Sequence, residues 1–220
     1  MFGWVIEELL PPGVVAVEAF ADRAGEPVFP GEEEQVARAV PSRRQEFVTA
    51  RRCAREALGR LGFPPAPIGT GRQREPLWPA GVAGAITHCR GYRAAAVTTK
   101  LAAVGIDAEP NAPLPPGVAG RITTAAEPAA LAELAAAHPG GHWGRLLFSA
   151  KESVYKAWYP LTGRWLGFED ALVTIDPAAG AFRARLLTDG ERADGGPPLT
   201  ELEGRFLMTE ALIITAVTVR

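Results

Sequence analysis

The stretch GIDAEP, residues 105–110, predicts a buried strand that carries two acidic side chains on one face. Side chains alternate between the two faces of a strand, so Asp107 and Glu109 point one way while Ile106 and Ala108 face the core. Two carboxylates this close repel each other unless a cation or a basic group lies between them. Such oxygen ligands suit Mg²⁺, which completes its shell with phosphate oxygens and water. The alternative is a solvated strand end whose two acids bind nothing.

A proline-rich run, residues 110–117, ends this strand and is the best candidate for an internal boundary. Each side of the run predicts a long helix and several mostly antiparallel strands. The predicted helices cover 43–59, 127–137 and 142–158, and the predicted strands cover 14–20, 83–88, 94–98, 102–109, 169–175, 182–187, 204–209 and 212–219. Ser42, three residues before Gln45, predicts the N-cap of the first helix through a capping box. We therefore predict an α+β fold of two similar halves, residues 1–109 and 110–220.

The first long helix is rich in arginine. Residues 41–60 contain six arginines and two glutamates, in a chain whose formal net charge is −2. Arg44, Arg51 and Arg55 lie within about 40° of one another on a helical wheel, beside the apolar stripe. A row of arginines at the edge of a core favours a phosphate-rich ligand. The alternative is a solvated amphipathic face.

The last long helix carries charged and aromatic side chains opposite its apolar stripe. Its run FSAKESVYKAW, residues 148–158, contains a third carboxylate, Glu152, that could complete a metal site. Lys151 and Lys156 could hold phosphate as point cations. The alternative is a surface ion pair between Glu152 and Lys156, which lie four residues apart on one face.

A further candidate phosphate contact lies in the run WPAGVAGAITHCRGYRAA, residues 78–95. Thr87 and His88 end a short strand there, before a glycine turn that is flanked by arginines. Side-chain donors and backbone N–H groups at such a turn can hold a phosphate. A histidine taken alone is more often structural, so this alternative stays open.

The composition bears on the class of protein. Hydrophobic residues make up 47% of the chain and charged residues 22%, which is ordinary for a globular protein, and the net charge of −2 argues against general nucleic-acid binding. Two cysteines without a CxxC pair fit a reducing compartment. Residues 1–20 lack the pattern of a signal peptide, and no apolar run approaches the ~20 residues of a membrane span. We therefore expect a cytoplasmic monomer that binds neither nucleic acid nor membrane.

Taken in order, these runs resemble the surfactin- and enterobactin-type 4'-phosphopantetheinyl transferases, most of all their actinobacterial branch. The resemblance also includes the RRQEF run at 43–47 and GRWLGFEDA at 163–171, and it spans roughly residues 30 to 220. Two positions depart from the family pattern. Ala85 stands where the family usually has serine, and Glu75 stands before Pro76 where a basic residue is common, so no basic contact from this loop is assigned.

The resemblance implies two pseudo-symmetric α+β halves with coenzyme A bound in the cleft between them. It implies Mg²⁺-dependent transfer of 4'-phosphopantetheine (Mn²⁺ is possible) from coenzyme A to a serine of an apo acyl or peptidyl carrier protein, with release of 3',5'-ADP. The implied metal ligands are Asp107, Glu109 and Glu152, and the implied coenzyme A contacts are Arg43, Arg51, Thr87, His88, Asp107 and Lys151. Glu152, or a water that it orients, is the implied base, and Lys156 faces the leaving phosphate.

Two other functions stay open on chemical grounds. A Mg²⁺-dependent nuclease or phosphohydrolase could use the same carboxylates and lysine, although the chain has no broad basic surface. A module that binds coenzyme A or a carrier without catalysis would keep only the phosphate contacts. The presence of Asp107, Glu109, Glu152 and Lys156 favours an enzyme.

Overall fold

The computed structural model describes residues 6–220, so the first five residues of the segment that lacks a signal-peptide pattern lie outside the described residues. The first part of the chain forms an antiparallel three-stranded sheet of order β1-β5-β4, covered on one face by a long helix. Its elements are β1 (Val14–Ala19), α1 (Pro41–Arg60), β2 (Gly69–Thr70), β3 (Pro76–Leu77), β4 (Ala83–Cys89) and β5 (Tyr92–Thr98). The small strands β2 and β3 pair only with each other and form a hairpin.

The second part forms an antiparallel five-stranded sheet of order β6-β10-β9-β8-β7. Its elements are β6 (Ala103–Pro110), α2 (Ala119–Ile122), α3 (Glu127–Ala137), α4 (Trp143–Thr162), β7 (Ala171–Asp176), β8 (Ala181–Leu186), β9 (Glu201–Met208) and β10 (Leu212–Val219). The structure thus has two sheet-rich halves, and the predicted α+β class is confirmed. No helix within residues 6–220 is long and apolar enough to cross a membrane.

Strand β6 hydrogen-bonds with the second half of the chain. Its partner is β10, in a register that places Asp107 opposite Thr215. The division expected at 109/110 would separate β6 from this partner, whereas the sheets divide the chain between β5 and β6. The proline-rich run ends the strand, but local sequence does not specify which distant strand completes its hydrogen bonds.

The two faces of β6 have different neighbours, as the alternation of its side chains predicts. Ile106 and Ala108 pack in an apolar core shared with residues of both sheets, among them Ala96 and Ile214. The opposite face lies against α4. The charged side chains of β6 are therefore brought to a helix instead of to solvent.

Gly105 allows β6 to lie directly on α4. A Cβ atom at this position would lie 2.0 Å from the carbonyl oxygen of Ser153 and 2.8 Å from the backbone nitrogen of Ala157. No side chain fits such a gap. The helix is also held to β10, because the Thr215 hydroxyl donates to the Ser149 carbonyl at 2.9 Å.

The predicted start of α1 is wrong. Val40 is the N-cap and Pro41 is the first helical residue, and the cap makes no side-chain hydrogen bond, so Ser42 lies inside the first turn. Proline suits this position because its φ is already helical and the missing N–H would have no partner. Helix α4 is longer than predicted: it continues past Trp158 to Thr162 and stops at Gly163, whose φ is +65°.

We expect Gly105→Ala to lower the free energy of unfolding by about 3 kcal/mol or more, because the new methyl group must separate β6 from α4. Gly59→Ala is the matched control, since Gly59 is exposed on α1 and its Cβ would meet no atom within 4 Å. For Gly59→Ala we expect the free energy of unfolding to rise by roughly 0.5–1 kcal/mol, because helices prefer alanine to glycine by this amount. Urea unfolding measures both. Equal, small effects would contradict the close packing described here.

Candidate functional site

Asp107 lies buried where β4, β6 and α4 meet. Its Oδ1 atom accepts hydrogen bonds from Lys156 Nζ at 2.7 Å and from the Thr87 hydroxyl at 3.3 Å. Its Oδ2 atom is also buried, with no hydrogen-bond partner among the described residues. Because an unpartnered buried carboxylate oxygen is costly, this atom is suited to a cation or a water.

Thr87 joins the two sheets at this point. Its hydroxyl accepts a hydrogen bond from the N–H of Ala108 at 2.9 Å and donates to Asp107, and the residue is only 2% exposed. Both bonds run from the edge strand β4 to the edge strand β6. Thr87 therefore orients Asp107, and the coenzyme A contact expected of Thr87 from the sequence stays a prediction.

Glu152 reaches the same region from α4. Its carboxylate makes no hydrogen bond or ion pair with any residue in the range 6–220. Burial raises the pKa of Glu152 and the charge of Asp107 raises it further, while Lys156 opposes both. A carboxylate with a raised pKa and free lone pairs suits proton transfer or cation binding.

Glu109 is held by a cation of its own. Its Oε2 atom accepts a hydrogen bond from Arg145 at 2.8 Å, and Arg145 also donates to the carbonyls of Ala112 and Pro113. Burial and the charge of Asp107 raise the pKa of Glu109, and Arg145 opposes this.

The three predicted metal carboxylates, Asp107, Glu109 and Glu152, do not form one ligand set in this conformation. No group of three His, Cys, Asp or Glu side chains within residues 6–220 has the separation of a metal site. The donor chemistry nevertheless fits Mg²⁺: burial and the charge of Asp107 raise the pKa of both Glu109 and Glu152, and Asp107 Oδ2 is buried without a partner within residues 6–220.

A cavity of about 320 Å³ lies beside this group and is lined by basic side chains. We call it the arginine pocket, and its polar lining residues are Gln35, Arg43, Arg51, Thr70, Arg74 and His88. Arg51 is 6% exposed, donates to Gln35 at 3.1 Å and to Thr70 at 2.9 Å, and keeps a buried Nε–H that lacks a partner among the residues described. Burial lowers the pKa of Arg51 to about 10, so it remains charged at neutral pH.

Arg43 and His88 form the wall of the pocket nearest to Lys156. The Arg43 guanidinium faces both ring nitrogens of His88, since its Nη1 atom lies 2.5 Å from Nε2 and 3.0 Å from Nδ1. Burial lowers the pKa of His88 to about 4, with a further contribution from the charge of Arg43. The imidazole is therefore neutral at pH 7 in the ligand-free protein.

The arginine row predicted for α1 is only partly correct. Of its three members, Arg51 alone lines the pocket, whereas Arg44 is exposed. Arg55 instead pairs with the buried Glu32 at 2.6 Å and lies over the ring of Phe29. A helical wheel gives the direction of a side chain but not the groups that other elements place there.

A second cavity, of about 560 Å³, adjoins the arginine pocket, and we call it the cleft cavity. Its walls come from the β2–β3 turn, from β4 and from α4, which include Arg74, Trp78, Ile86, Glu152, Tyr155, Lys156 and Tyr159. Tyr155 stacks on Tyr159, with ring centroids 5.8 Å apart, and also contacts Trp165. Glu152 and Lys156 thus line an aromatic cavity that adjoins a cationic pocket.

Arg74 lines both cavities, although its sequence context predicts no role for it. It lies in the β2–β3 turn with a φ of +67°, in the left-handed region that L side chains rarely adopt. The stacked tyrosines were likewise not assigned, although aromatic residues on the charged face of α4 were a usable signal.

Lys151 lines a small cavity with Glu152 and Tyr155, but its ammonium is held by groups of the second half. It is 3% exposed, and its ammonium donates to Glu127 at 2.7 Å, to the Ile122 carbonyl at 2.8 Å and to the Phe168 carbonyl at 2.7 Å. Glu127 is buried too and accepts the N–H of Val173 at 2.8 Å. All three ammonium protons are used inside the second half, so the expected coenzyme A contact gains no support from this position.

The chain is similar to proteins of one family along nearly its whole length. A family model described as 4'-phosphopantetheinyl transferase N-terminal domain matches residues 31–98, and one described as 4'-phosphopantetheinyl transferase superfamily matches residues 103–196. The chain is 53% identical to 4'-phosphopantetheinyl transferase Svp of Streptomyces mobaraensis, over 98% of this chain and 89% of the relative. It is 45% identical to Npt of Nocardia iowensis, over 97% of this chain and 99% of that one. It is 46% identical to PptT of Mycobacterium tuberculosis, over 98% of both chains.

We expect Lys151→Met to lower the free energy of unfolding by about 3–5 kcal/mol, because it leaves the buried Glu127 carboxylate without its cation. Arg183→Met is the control, since Arg183 forms exposed ion pairs on the second sheet. Loss of these ion pairs should lower the free energy of unfolding by about 1 kcal/mol or less. Urea unfolding of both variants measures the difference. A Lys151 variant as stable as the Arg183 variant would show that the buried pair is not structural.

Proposed function

We propose that this chain, which belongs to the 4'-phosphopantetheinyl transferase superfamily, carries out its transfer where β4, β6 and α4 meet. The chain is a transferase that moves phosphopantetheine from coenzyme A to carrier proteins. The observation that carries the proposed location is the buried Asp107 carboxylate, which has one unpartnered oxygen and lies beside Lys156.

The two cavities match the two ends of coenzyme A. The nucleotide end carries a 3'-phosphate, and the arginine pocket supplies Arg43, Arg51 and His88 for it. The pantetheine arm is uncharged, and the cleft cavity supplies Tyr155 and Tyr159 as an aromatic wall. The pyrophosphate between these ends would lie against Asp107, Glu152 and Lys156.

Asp107 and Glu152 would hold Mg²⁺, with Glu109 as a third ligand if its side chain leaves Arg145. When bound, the ion would neutralise charge on the pyrophosphate and act as a Lewis acid. Mn²⁺ has the same preference for carboxylate oxygens and would serve as a substitute.

The protein's own residues have distinct parts in the proposed reaction. The bond from the serine oxygen to the β-phosphorus forms as the bond from that phosphorus to 3',5'-ADP breaks. Glu152 accepts the serine proton, directly or through a water, since its raised pKa favours proton uptake. Lys156 balances charge on the departing phosphate, and Thr87 keeps Asp107 oriented.

The proposed acceptor is a serine of an apo acyl or peptidyl carrier protein, from polyketide, nonribosomal peptide, siderophore or lipid synthesis. Both walls of the cleft cavity come from one chain, which supports a monomeric enzyme. The proposed location is the cytoplasm, where coenzyme A and these carriers would meet.

In the direct test, the protein is incubated with coenzyme A, Mg²⁺ and a panel of apo carrier proteins, and the masses of the intact carriers are then measured. We expect a gain of one phosphopantetheine on the target serine, which EDTA abolishes. Binding of coenzyme A without any gain would support the binding-module alternative. Hydrolysis of nucleic acid or nucleotides in the presence of Mg²⁺ would support the phosphohydrolase alternative.

We expect Asp107→Asn and Glu152→Gln each to lower kcat by about 100-fold or more, because each removes a negative charge from the reacting region. Both replacements keep the side-chain shape, so the midpoint of thermal unfolding should change little. Glu203→Gln, on the exposed face of the second sheet, is the control and should keep full activity. Near-normal turnover of either site variant would remove that residue from the proposed mechanism.

A further inference from the structure

Glu46 on α1 lies among the cations of the arginine pocket. Its Oε2 atom lies 3.1 Å from the Arg43 guanidinium and 3.6 Å from His88 Nδ1. A carboxylate beside an anion site weakens anion binding by repulsion unless it acts on the groups that bind the anion. Both of its neighbours here are predicted phosphate contacts.

Glu46 is itself held by a buried arginine. Its Oε1 atom lies 3.5 Å from Arg93, which is 6% exposed and pairs with Asp22 at 2.9 Å. Arg93 also donates to the backbone carbonyls of Cys89 and Tyr92 at the β4–β5 turn. A chain of contacts therefore runs from Asp22 through Arg93 and Glu46 to His88, and it fixes the carboxylate against the imidazole.

We propose that Glu46 is a positioning residue for coenzyme A: it orients His88 and Arg43 and stabilises the protonated form of His88 when the 3'-phosphate binds. The proposal rests on the proposed function, since coenzyme A is the ligand that it invokes. Glu46 acts through its two neighbours and does not itself contact the phosphate, whose charge it would repel.

The charges around His88 explain why Glu46 would favour its protonated form. The groups that face it are Arg43 and Glu46 from α1, Arg93 from β5 and Lys156 from α4. Three of these are cations, and together with burial they keep the imidazole neutral in the free protein. In the free protein Arg43 Nη1 lies 3.0 Å from His88 Nδ1 and 2.5 Å from Nε2. A bound phosphate would attract this guanidinium and add negative charge beside the ring, so the imidazolium is then favoured, with the Glu46 carboxylate 3.6 Å from Nδ1.

This arrangement predicts discrimination between coenzyme A and 3'-dephospho-coenzyme A. The dephospho compound lacks the anion that would protonate His88, so it gains nothing from Glu46. The affinity for coenzyme A should fall as the pH rises through the pKa of His88 in the complex, because the proton that strengthens the contact is then lost. The affinity for the dephospho compound should lack this pH dependence.

The test compares Glu46→Gln with Glu56→Gln by calorimetric titration of both ligands at pH 6.5. Glu56 is the matched control, because it is a second α1 carboxylate that pairs with an arginine on its own helix, Arg60, outside both cavities. We expect Glu46→Gln to reduce the preference for coenzyme A over the dephospho compound by about tenfold, the usual scale of a hydrogen bond to a charged group. Glu56→Gln should keep the wild-type preference.

A second measurement follows His88 directly by NMR of the histidine side chains. There are three histidines in the chain, so His88→Gln identifies the resonance. We expect His88 to titrate at a higher pH in the coenzyme A complex than in the free protein, and Glu46→Gln to narrow that difference. In a His88→Gln background, Glu46→Gln should change the ligand preference less than it does in the wild-type protein, because only the contact of Glu46 with Arg43 is then left.

Three outcomes would overturn the inference while leaving the proposed function intact: an unchanged preference in Glu46→Gln, an equal loss of affinity for both ligands, or tighter binding of coenzyme A. The second would show a general structural role, and the third would show that repulsion dominates. If the wild-type protein binds neither ligand, the proposed function fails and the inference fails with it.

Discussion

The close contact of β6 with α4 at Gly105 is the constraint on which the site depends. The strand can approach the helix backbone only because no Cβ lies between them, since a methyl group there would lie 2.0 Å from the Ser153 carbonyl oxygen. This approach brings Asp107 Oδ1 to 2.7 Å from Lys156 Nζ. Asp107 lies two residues beyond Gly105 on the strand, and Lys156 lies about one turn beyond Ser153 on the helix. The other face of β6 buries Ile106 and Ala108 in the core between the sheets, which prevents the strand from sliding. Packing on one face thus fixes the chemistry on the other.

The same contact creates an imbalance of charge that suits a metal ion and a phosphate. Asp107 has Lys156 and Glu109 has Arg145, but Glu152 has no ion-pair partner within residues 6–220. Burial raises the pKa of both Glu109 and Glu152, and the negative charge of Asp107 raises both further. A divalent cation would relieve this repulsion, and it would bring the phosphate oxygens that Lys156 and the arginine pocket can hold. The arrangement is therefore a poor structural ion-pair cluster, and its uncompensated charge is what the proposed metal ion and phosphate would balance.

Much of the fold followed from the sequence, because alternation and helical spacing report which faces are buried. The two faces of β6 and the limits of α3 agree with the pattern. Long-range choices did not follow: β6 pairs with β10, and Lys151 turns into the second half toward Glu127. Lys151 and Glu152 are adjacent, so they point about 100° apart on the helix, and only the packed structure shows which direction meets the cleft. The start of α1 also differs from the pattern. The helix begins at Pro41, before Ser42, because a proline at the first helical position competes well with a side-chain cap.

The placement of counter-ions, more than the number of arginines, decides which cations of α1 can serve a ligand. Arg55 is matched by the buried Glu32, and Arg52 is paired with Glu26 at 2.9 Å. Within residues 6–220, the hydrogen bonds of Arg51 go to neutral groups, Gln35, Thr70 and a backbone carbonyl, and Glu32 acts on it without an ion pair, so much of its charge remains at the pocket wall. Arg43 is intermediate, since Glu46 holds it and also contacts His88. A chain with a net charge of −2 can therefore present a strongly cationic pocket, because its carboxylates neutralise the arginines that face away from that pocket.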